Sequence, residues 1–292
     1  MGTNNEHGTE RRIALAYDGS IHGDWVGRYA LRLARAAGSP LEVVHVDDGA
    51  LPSAALETRL NRLRDMAAAS GVDLSARELG STGDVAGAID AAFPADDGTL
   101  VVCGLRARES GRGLLRGTVS EALLSRGRHD VLAVRVVSPS LLGHARHVLF
   151  CVSGTPESAA AAGPFLELLA PELTRLSLLT VVSHPFERVS RPTAGDLRRL
   201  HARGTNFLQQ VEAALESALG SFEIPFDPHV SISRDWPAEV TRQAGRARAE
   251  LVMLGATEHT LTRRLFGNPL ESVLRDAVCD IAIFRLARAR RA

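Results

Sequence analysis

The sequence predicts an α/β fold of two tandem, doubly wound domains, each a five-stranded parallel sheet with helices on both faces. Three observations predict it. Short apolar runs bounded by glycine or polar residues alternate with segments of helical period. The same order of elements occurs twice. At 292 residues the chain exceeds the usual single-domain size, so about two domains are expected, each burying its own core.

The elements follow in order from Ile13. Ile13 to Tyr17 reads as a strand, then comes a helix whose inner face is Val26, Ala30, Leu33 and Ala37, ended by Gly38. Leu41 to Val46 is a second strand, followed by a helix carrying Leu56, Leu60, Leu63 and Ala67. A strand at Leu74 to Leu79, a helix at Val85 to Ala92 and a strand at Leu100 to Cys103 come next. Val131 to Val134 closes the first unit. The run 138–146, Ser-Pro-Ser-Leu-Leu-Gly-His-Ala-Arg, breaks the pattern and reads as a linker. The expected organisation is a disordered tail over 1–10, a first domain over 11–137, the linker, and a second domain over 147–288.

The second copy repeats the series. Its strands are Val148 to Val152, Leu176 to Val182, Val230 to Ile232, Leu251 to Leu254 and Ile281 to Phe284. Its helices lie around Phe165 to Leu169, from about Gly195 to Leu219, near Ala238 to Ala247, and from Leu270. Asp18 aligns with Ser153 at an offset of 135 and Gly104 with Gly255 at 151, so the second copy gains 16 residues between its second and third strands. The stretch Pro185 to Pro192 and the long helix after it would house them.

The most informative segment runs from Val101-Val102-Cys103-Gly104 through Arg106, Arg108 and Arg112 to Gly113-Leu114-Leu115-Arg116-Gly117-Thr118-Val119-Ser120-Glu121. A buried strand that stops at Gly104, and a Thr118-x-x-Glu121 capping box ahead of Ala122-Leu123-Leu124, give strand, loop, helix. A helix N-terminus presents unpaired N–H groups and partial positive charge, glycines admit a ligand to the backbone, and arginines add full charge. The segment is built for an anion such as a nucleotide phosphate. Thr118 and Glu121 would cap their helix even with no ligand. About half of the arginines are expected to be solvated loop residues, with Arg106 and Arg116 the first candidates for phosphate contact. Asp18, at a strand end, either faces a ligand or shapes a turn and caps the first helix. His45, inside a strand, reads as a packed, hydrogen-bonded histidine.

Composition narrows the function. Lys+Arg and Asp+Glu are 34 each, leaving no net field to draw the protein onto nucleic acid or an anionic membrane. Every one of the basic residues is Arg, which excludes a P-loop, a Schiff base and an adenylyl-lysine. Cys103, Cys151 and Cys279 sit apart in apolar runs and read as buried thiols in a reducing compartment. Apolar stretches fall short of the roughly 18–20 residues that span a bilayer, and Met1 to Arg12 has no signal-peptide core. A cytoplasmic protein is expected.

The ordered set Tyr17-Asp18-Gly19-Ser20, Val44-His45-Val46-Asp47, Gly83-Asp84 and Gly104-x2-Ala107-x9-Gly117-Thr118 resembles the pattern of universal stress proteins, and the likeness runs over residues 11–287. The resemblance implies a tandem member with a fold like that of adenine-nucleotide alpha hydrolases. It implies an adenine nucleotide, ATP above all, held across the ends of strands one, two and four, with Mg²⁺ bridging the phosphates. Asp18 and the backbone of Val46 would then face the adenosine. Gly104 and Ala107 would let the loop wrap ribose and phosphates, and Gly117, Thr118, Val119 and Ser120 would donate to phosphate oxygens. The family's second glycine is Ala107 here, a change costing about 1 kcal/mol or more if a positive φ is needed.

The second copy departs further. Ser153 replaces Asp18, Glu258 replaces the second glycine, the interval to Gly267 is one residue shorter, and Asn268-Pro269 replace Thr118-Val119. Pro269 suits the first helical position but has no N–H, and Glu258 sets a carboxylate against polyphosphate at about 1–4 kcal/mol. The second site is therefore expected to be degenerate. The expected function is regulatory: occupancy by ATP orders the loop 105–116 and changes the surface that an unidentified protein partner meets. The resemblance also implies an intrachain pseudo-dimer through the fifth strands, with further homodimerisation open. Two alternatives stand beside the regulatory function: a nucleotide-free interaction scaffold and, with less support because no nucleophile–base pair is evident, a weak ATPase.

Overall fold

The computed structural model describes residues 11–49, 51–80, 83–94, 98–105, 118–183, 193–220, 224–256 and 269–287. Two compact units divide them: the first takes 11–105, 118–134 and 285–287, the second 135–284.

In the first unit the strands are β1 (Ile13–Ala16), β2 (Leu41–Asp47), β3 (Leu74–Gly80), β4 (Leu100–Gly104) and β5 (Asp130–Arg135). Their order is β3-β2-β1-β4-β5, and β1–β2, β2–β3, β1–β4 and β4–β5 all pair in parallel. The helices are α1 (Ile21–Ala37), α2 (Ser53–Ala69), α3 (Val85–Ala92) and α4 (Val119–Arg126). β1 and β4 are buried almost throughout because helices cover both faces of the sheet, which is why they read as unbroken apolar runs. β3 lies at the end of the order and alternates between half-buried and exposed positions. α1 turns Val26, Ala30, Leu33 and Ala34 inward, each large side chain contributing about 1.5–3 kcal/mol on burial. Ala34, not Ala37, completes that face, since Ala37 sits in the last turn beside the Gly38 cap.

The second unit contains β6 (His147–Cys151), β7 (Arg175–Val182), β8 (Phe226–Ile232), β9 (Leu251–Gly255) and β10 (Asp280–Arg285), ordered β10-β9-β6-β7-β8 with parallel pairing. Its helices are α5 (Pro156–Ala160), α6 (Gly163–Leu169), α7 (Ala194–Leu219), α8 (Trp236–Ala247) and α9 (Pro269–Asp276). The α/β fold expected from the sequence, in two tandem copies, is thus observed, with three local differences. The first helix of the second copy is broken into α5 and α6. β8 starts at Phe226 rather than Val230. The linker 138–146 contains a 3-10 turn, Pro139–Leu141. α7, 26 residues long, carries much of the insertion, whereas Pro185 to Pro192 lies outside the described residues. α7 meets β8 at Gly204, where an added Cβ would lie 2.4 Å from Val230 Cγ1.

Candidate functional site

The strand order fixes where a site can form. The chain leaves β1 toward β2 on one side and leaves β4 toward β5 on the other, so the C-terminal ends of β1 and β4 border the crevice where such sheets take ligands. Ala16 is level with Val44 of β2 and with Cys103 of β4. Asp18 and Val46 lie two residues beyond those levels and Gly104 one, which puts all three at the same end of the sheet. α4, which follows β4, begins there too.

Local chemistry holds this edge in shape. Tyr17 N donates to Val44 O at 2.9 Å, continuing the ladder past the strand. His45 is buried on β2, and its Nδ1 lies 2.8 Å from Tyr17 O; a carbonyl only accepts, so that nitrogen carries the proton. Asp18 is exposed and its Oδ1 accepts from Ser20 N at 2.9 Å and Ser20 Oγ at 2.7 Å. Ser20 Oγ in turn accepts from Gly23 N at 3.0 Å as the N-cap of α1. Asp18 therefore shapes the turn that starts α1. An added Cβ at Gly23 would stand 2.5 Å from Asp18 Oδ1, so this glycine makes room for the carboxylate.

Beneath the turn, Tyr17 OH donates to Asp24 Oδ1, and Arg59 donates to Asp24 Oδ2 at 2.6 Å. Burial, then the Asp24 hydrogen bond, push the Tyr17 hydroxyl far above its ordinary range. Gly23, Asp24 and Arg59 escaped the sequence reading, and Tyr17 and Ser20 entered it as motif residues without a role. The spacing Tyr17-x6-Asp24 across a helix start is too common to single them out.

At α4, Thr118 is the N-cap and its Oγ1 accepts from Glu121 N at 3.1 Å, as the capping signal predicts. Thr118 Oγ1 also lies 3.1 Å from Ser120 Oγ, and Ser120 is buried. The N–H groups of Val119 and Ser120, in the first turn, have no partner within the helix. The far end of α4 is clamped to α3: Arg126 donates to Asp84 Oδ2 at 2.6 Å and lies 3.4 Å from Asp90 Oδ2. The Arg126 hydrogen bond holds the Asp84 carboxyl below its usual range, while burial raises that of Asp90. Arg106, Ala107, Arg116 and Gly117 lie outside the described residues.

The second unit has the same plan with different furniture. Val152 N donates to Leu179 O at 2.9 Å, matching Tyr17 to Val44 at the common offset of 135. Ser153 occupies the Asp18 position, and Thr155 and Ser158 form a reciprocal capping box at the start of α5. Pro269 is the first residue of α9. Glu258, Gly267 and Asn268 lie outside the described residues.

Among the described residues no group of three or more His, Cys, Asp or Glu side chains could hold a metal ion. The first-turn N–H groups of α4 and the Thr118 hydroxyl fit an anion without one.

Fold and site together define a tandem pair of doubly wound α/β domains, each with a crevice where the strand order reverses. The chain belongs to the universal stress protein family: the family model matches residues 10–135 and again 144–285. Solved structures agree on the fold. A universal stress protein from Archaeoglobus fulgidus DSM 4304 superposes with a TM-score of 0.59 at 15% identity, covering 96% of this chain and 98% of that one. A Pseudomonas aeruginosa UCBPP-PA14 protein assigned to the family gives 0.58 at 16%, covering 94% and 93%. The cytoplasmic domain of a prokaryotic cation chloride cotransporter gives 0.59 at 13%, covering 94% and 95%. No curated protein matches the chain significantly. Among the described residues no helix is long and apolar enough to cross a membrane.

Proposed function

We propose that the protein is a cytoplasmic stress-response regulator that binds one adenine nucleotide, ATP, in its first domain, while its second domain has lost that capacity. The observation that carries this reading is the convergence of Asp18, Val46, Gly104 and the N-terminus of α4 on the switch point of the first sheet. Asp18 and the Val46 backbone meet the adenosine, and Thr118, Val119 and Ser120 hold phosphate oxygens together with Gly117. Arg106 and Arg116 supply charge, and Ala107, in place of the family's second glycine, still lets the loop wrap the ribose at some cost in affinity. Magnesium carried in with the nucleotide would screen the charge of its phosphates. Occupancy changes the surface presented by residues 105–116 to a protein partner.

Support for a degenerate second domain comes from its start of α9, where Pro269 offers no N–H, and from Ser153 in place of Asp18. The test is thermal unfolding with and without ATP and Mg²⁺. At 100 times its dissociation constant, a ligand bound only to the folded state stabilises by roughly 2.7 kcal/mol. The shift is expected in the native chain, absent in Gly117→Glu, and not doubled in Glu258→Gly. No shift in the native chain would favour the scaffold alternative.

A further inference from the structure

The long helix α7 carries two stripes. One, Gly204, Leu208, Val211, Leu215 and Leu219, is buried. The other, Gly195, Arg198, Ala202, Thr205, Gln209, Glu212 and Glu216, follows a 3-4-3-4 spacing and so shares one polar face of the helix. Arg198, Ala202, Gln209 and Glu216 in this stripe are exposed, and the first ten residues of the helix include no buried position.

Read backwards, the second stripe matches itself. About a centre at Phe207, Arg198 falls opposite Glu216, Ala202 opposite Glu212, and Thr205 opposite Gln209. Arg198 stands at one end and Glu212 and Glu216 at the other, so an antiparallel copy sets Arg198 and Glu216 together twice. Glu212 Oε1 is buried without a hydrogen-bond partner, and neither Glu212 nor Glu216 has an ion-pair partner among the described residues. Two carboxylates at i and i+4 repel, and burial with that repulsion raises the Glu212 pKa. The small side chain of Ala202 leaves room for a guanidinium reaching in from its own preceding turn.

We propose that the α7 stripe is an isologous interface through which two copies of this chain pair antiparallel, with Arg198 of each copy placed between Glu212 and Glu216 of the other. The interface is polar, so the association is reversible and weakens with salt. It lies on the element that distinguishes the second copy from the first and is independent of nucleotide.

Sedimentation equilibrium of the full chain tests it. The native protein is expected to form a reversible dimer. Arg198→Glu and Glu216→Arg should each weaken it by about tenfold or more, because the twofold repeats every repulsion. The double exchange Arg198→Glu with Glu216→Arg should restore it in part, because the exchanged pair attracts again while Glu212 still repels the carboxylate at position 198. Ala202→Trp supplies a steric route at an exposed site should a charge variant unfold, and circular dichroism identifies such a variant. A native chain that stays monomeric at the highest concentration measured overturns the proposal. So do single exchanges that leave the dimer intact, or a double exchange that restores none of it.

Discussion

His45 Nδ1 stands 2.8 Å from the carbonyl oxygen of Tyr17, so a side chain of β2 holds the backbone one residue before Asp18. His45→Ala should lower stability by about 1–3 kcal/mol, from the lost hydrogen bond and the cavity at a buried site. Under the proposed function it should also weaken ATP binding, since the Asp18 turn loses its anchor. Chemical unfolding and titration calorimetry on the same sample read both effects.

Gly23→Ala tests the place of Asp18 in the site. Alanine is a better helix former than glycine by roughly 0.5–1 kcal/mol, but its Cβ would also stand 3.1 Å from Cε2 of the buried Tyr17 ring and disturb the Asp18–Ser20 turn, so unfolding stability should fall modestly. The new methyl group falls 2.5 Å from Asp18 Oδ1 and must displace the carboxylate. Weaker ATP affinity in a variant that is still folded at the temperature of the assay is expected; unchanged affinity would remove Asp18 from the site.

Gly204→Ala tests the contact of α7 with β8. Its Cβ would stand 2.4 Å from Val230 Cγ1, pushing α7 off β8, and overpacking of this kind costs about 1–3 kcal/mol. Denaturant midpoints should fall despite the better helix propensity.

Alkaline pH should destabilise the fold in two steps. Burial pushes the Cys103 thiol from 9.0 up to about 12, and burial with the Asp24 hydrogen bond pushes Tyr17 up from 10.0. A group whose folded pKa is raised adds stability that is whole below its unfolded pKa and is lost as pH climbs through the folded one. Stability should therefore decline above pH 9 and more steeply above pH 10. Tyr17→Phe should begin less stable at pH 8 and lose less between pH 10 and 11; parallel curves for the two proteins would contradict the assignment.

The sequence made the parallel sheets legible because strands covered on both faces leave continuous apolar runs, as in Leu100–Gly104, and because capping residues punctuate helices, as in Val85–Ala92. It hid β8, whose first half, Phe226-Asp227-Pro228-His229, looks like loop. Pro228 is tolerated because β8 ends the strand order and its missing N–H breaks no ladder on the open side. It also hid the division of α5 from α6, where an alanine-rich run carries no breaker before Gly163. Of the candidate site, Asp18, Val46, Gly104 and the α4 start were legible as motif. The supporting Tyr17–Asp24–Arg59 contacts were not, because they join positions 35 residues apart, Arg59 to Asp24, that nothing but the fold brings together.

The most direct measurement is titration calorimetry of the full chain with ATP and Mg²⁺, repeated on Gly117→Glu and Gly267→Glu. The account predicts one nucleotide per chain, lost in the first variant and kept in the second. Two nucleotides per chain, none, or loss confined to the second variant would contradict it.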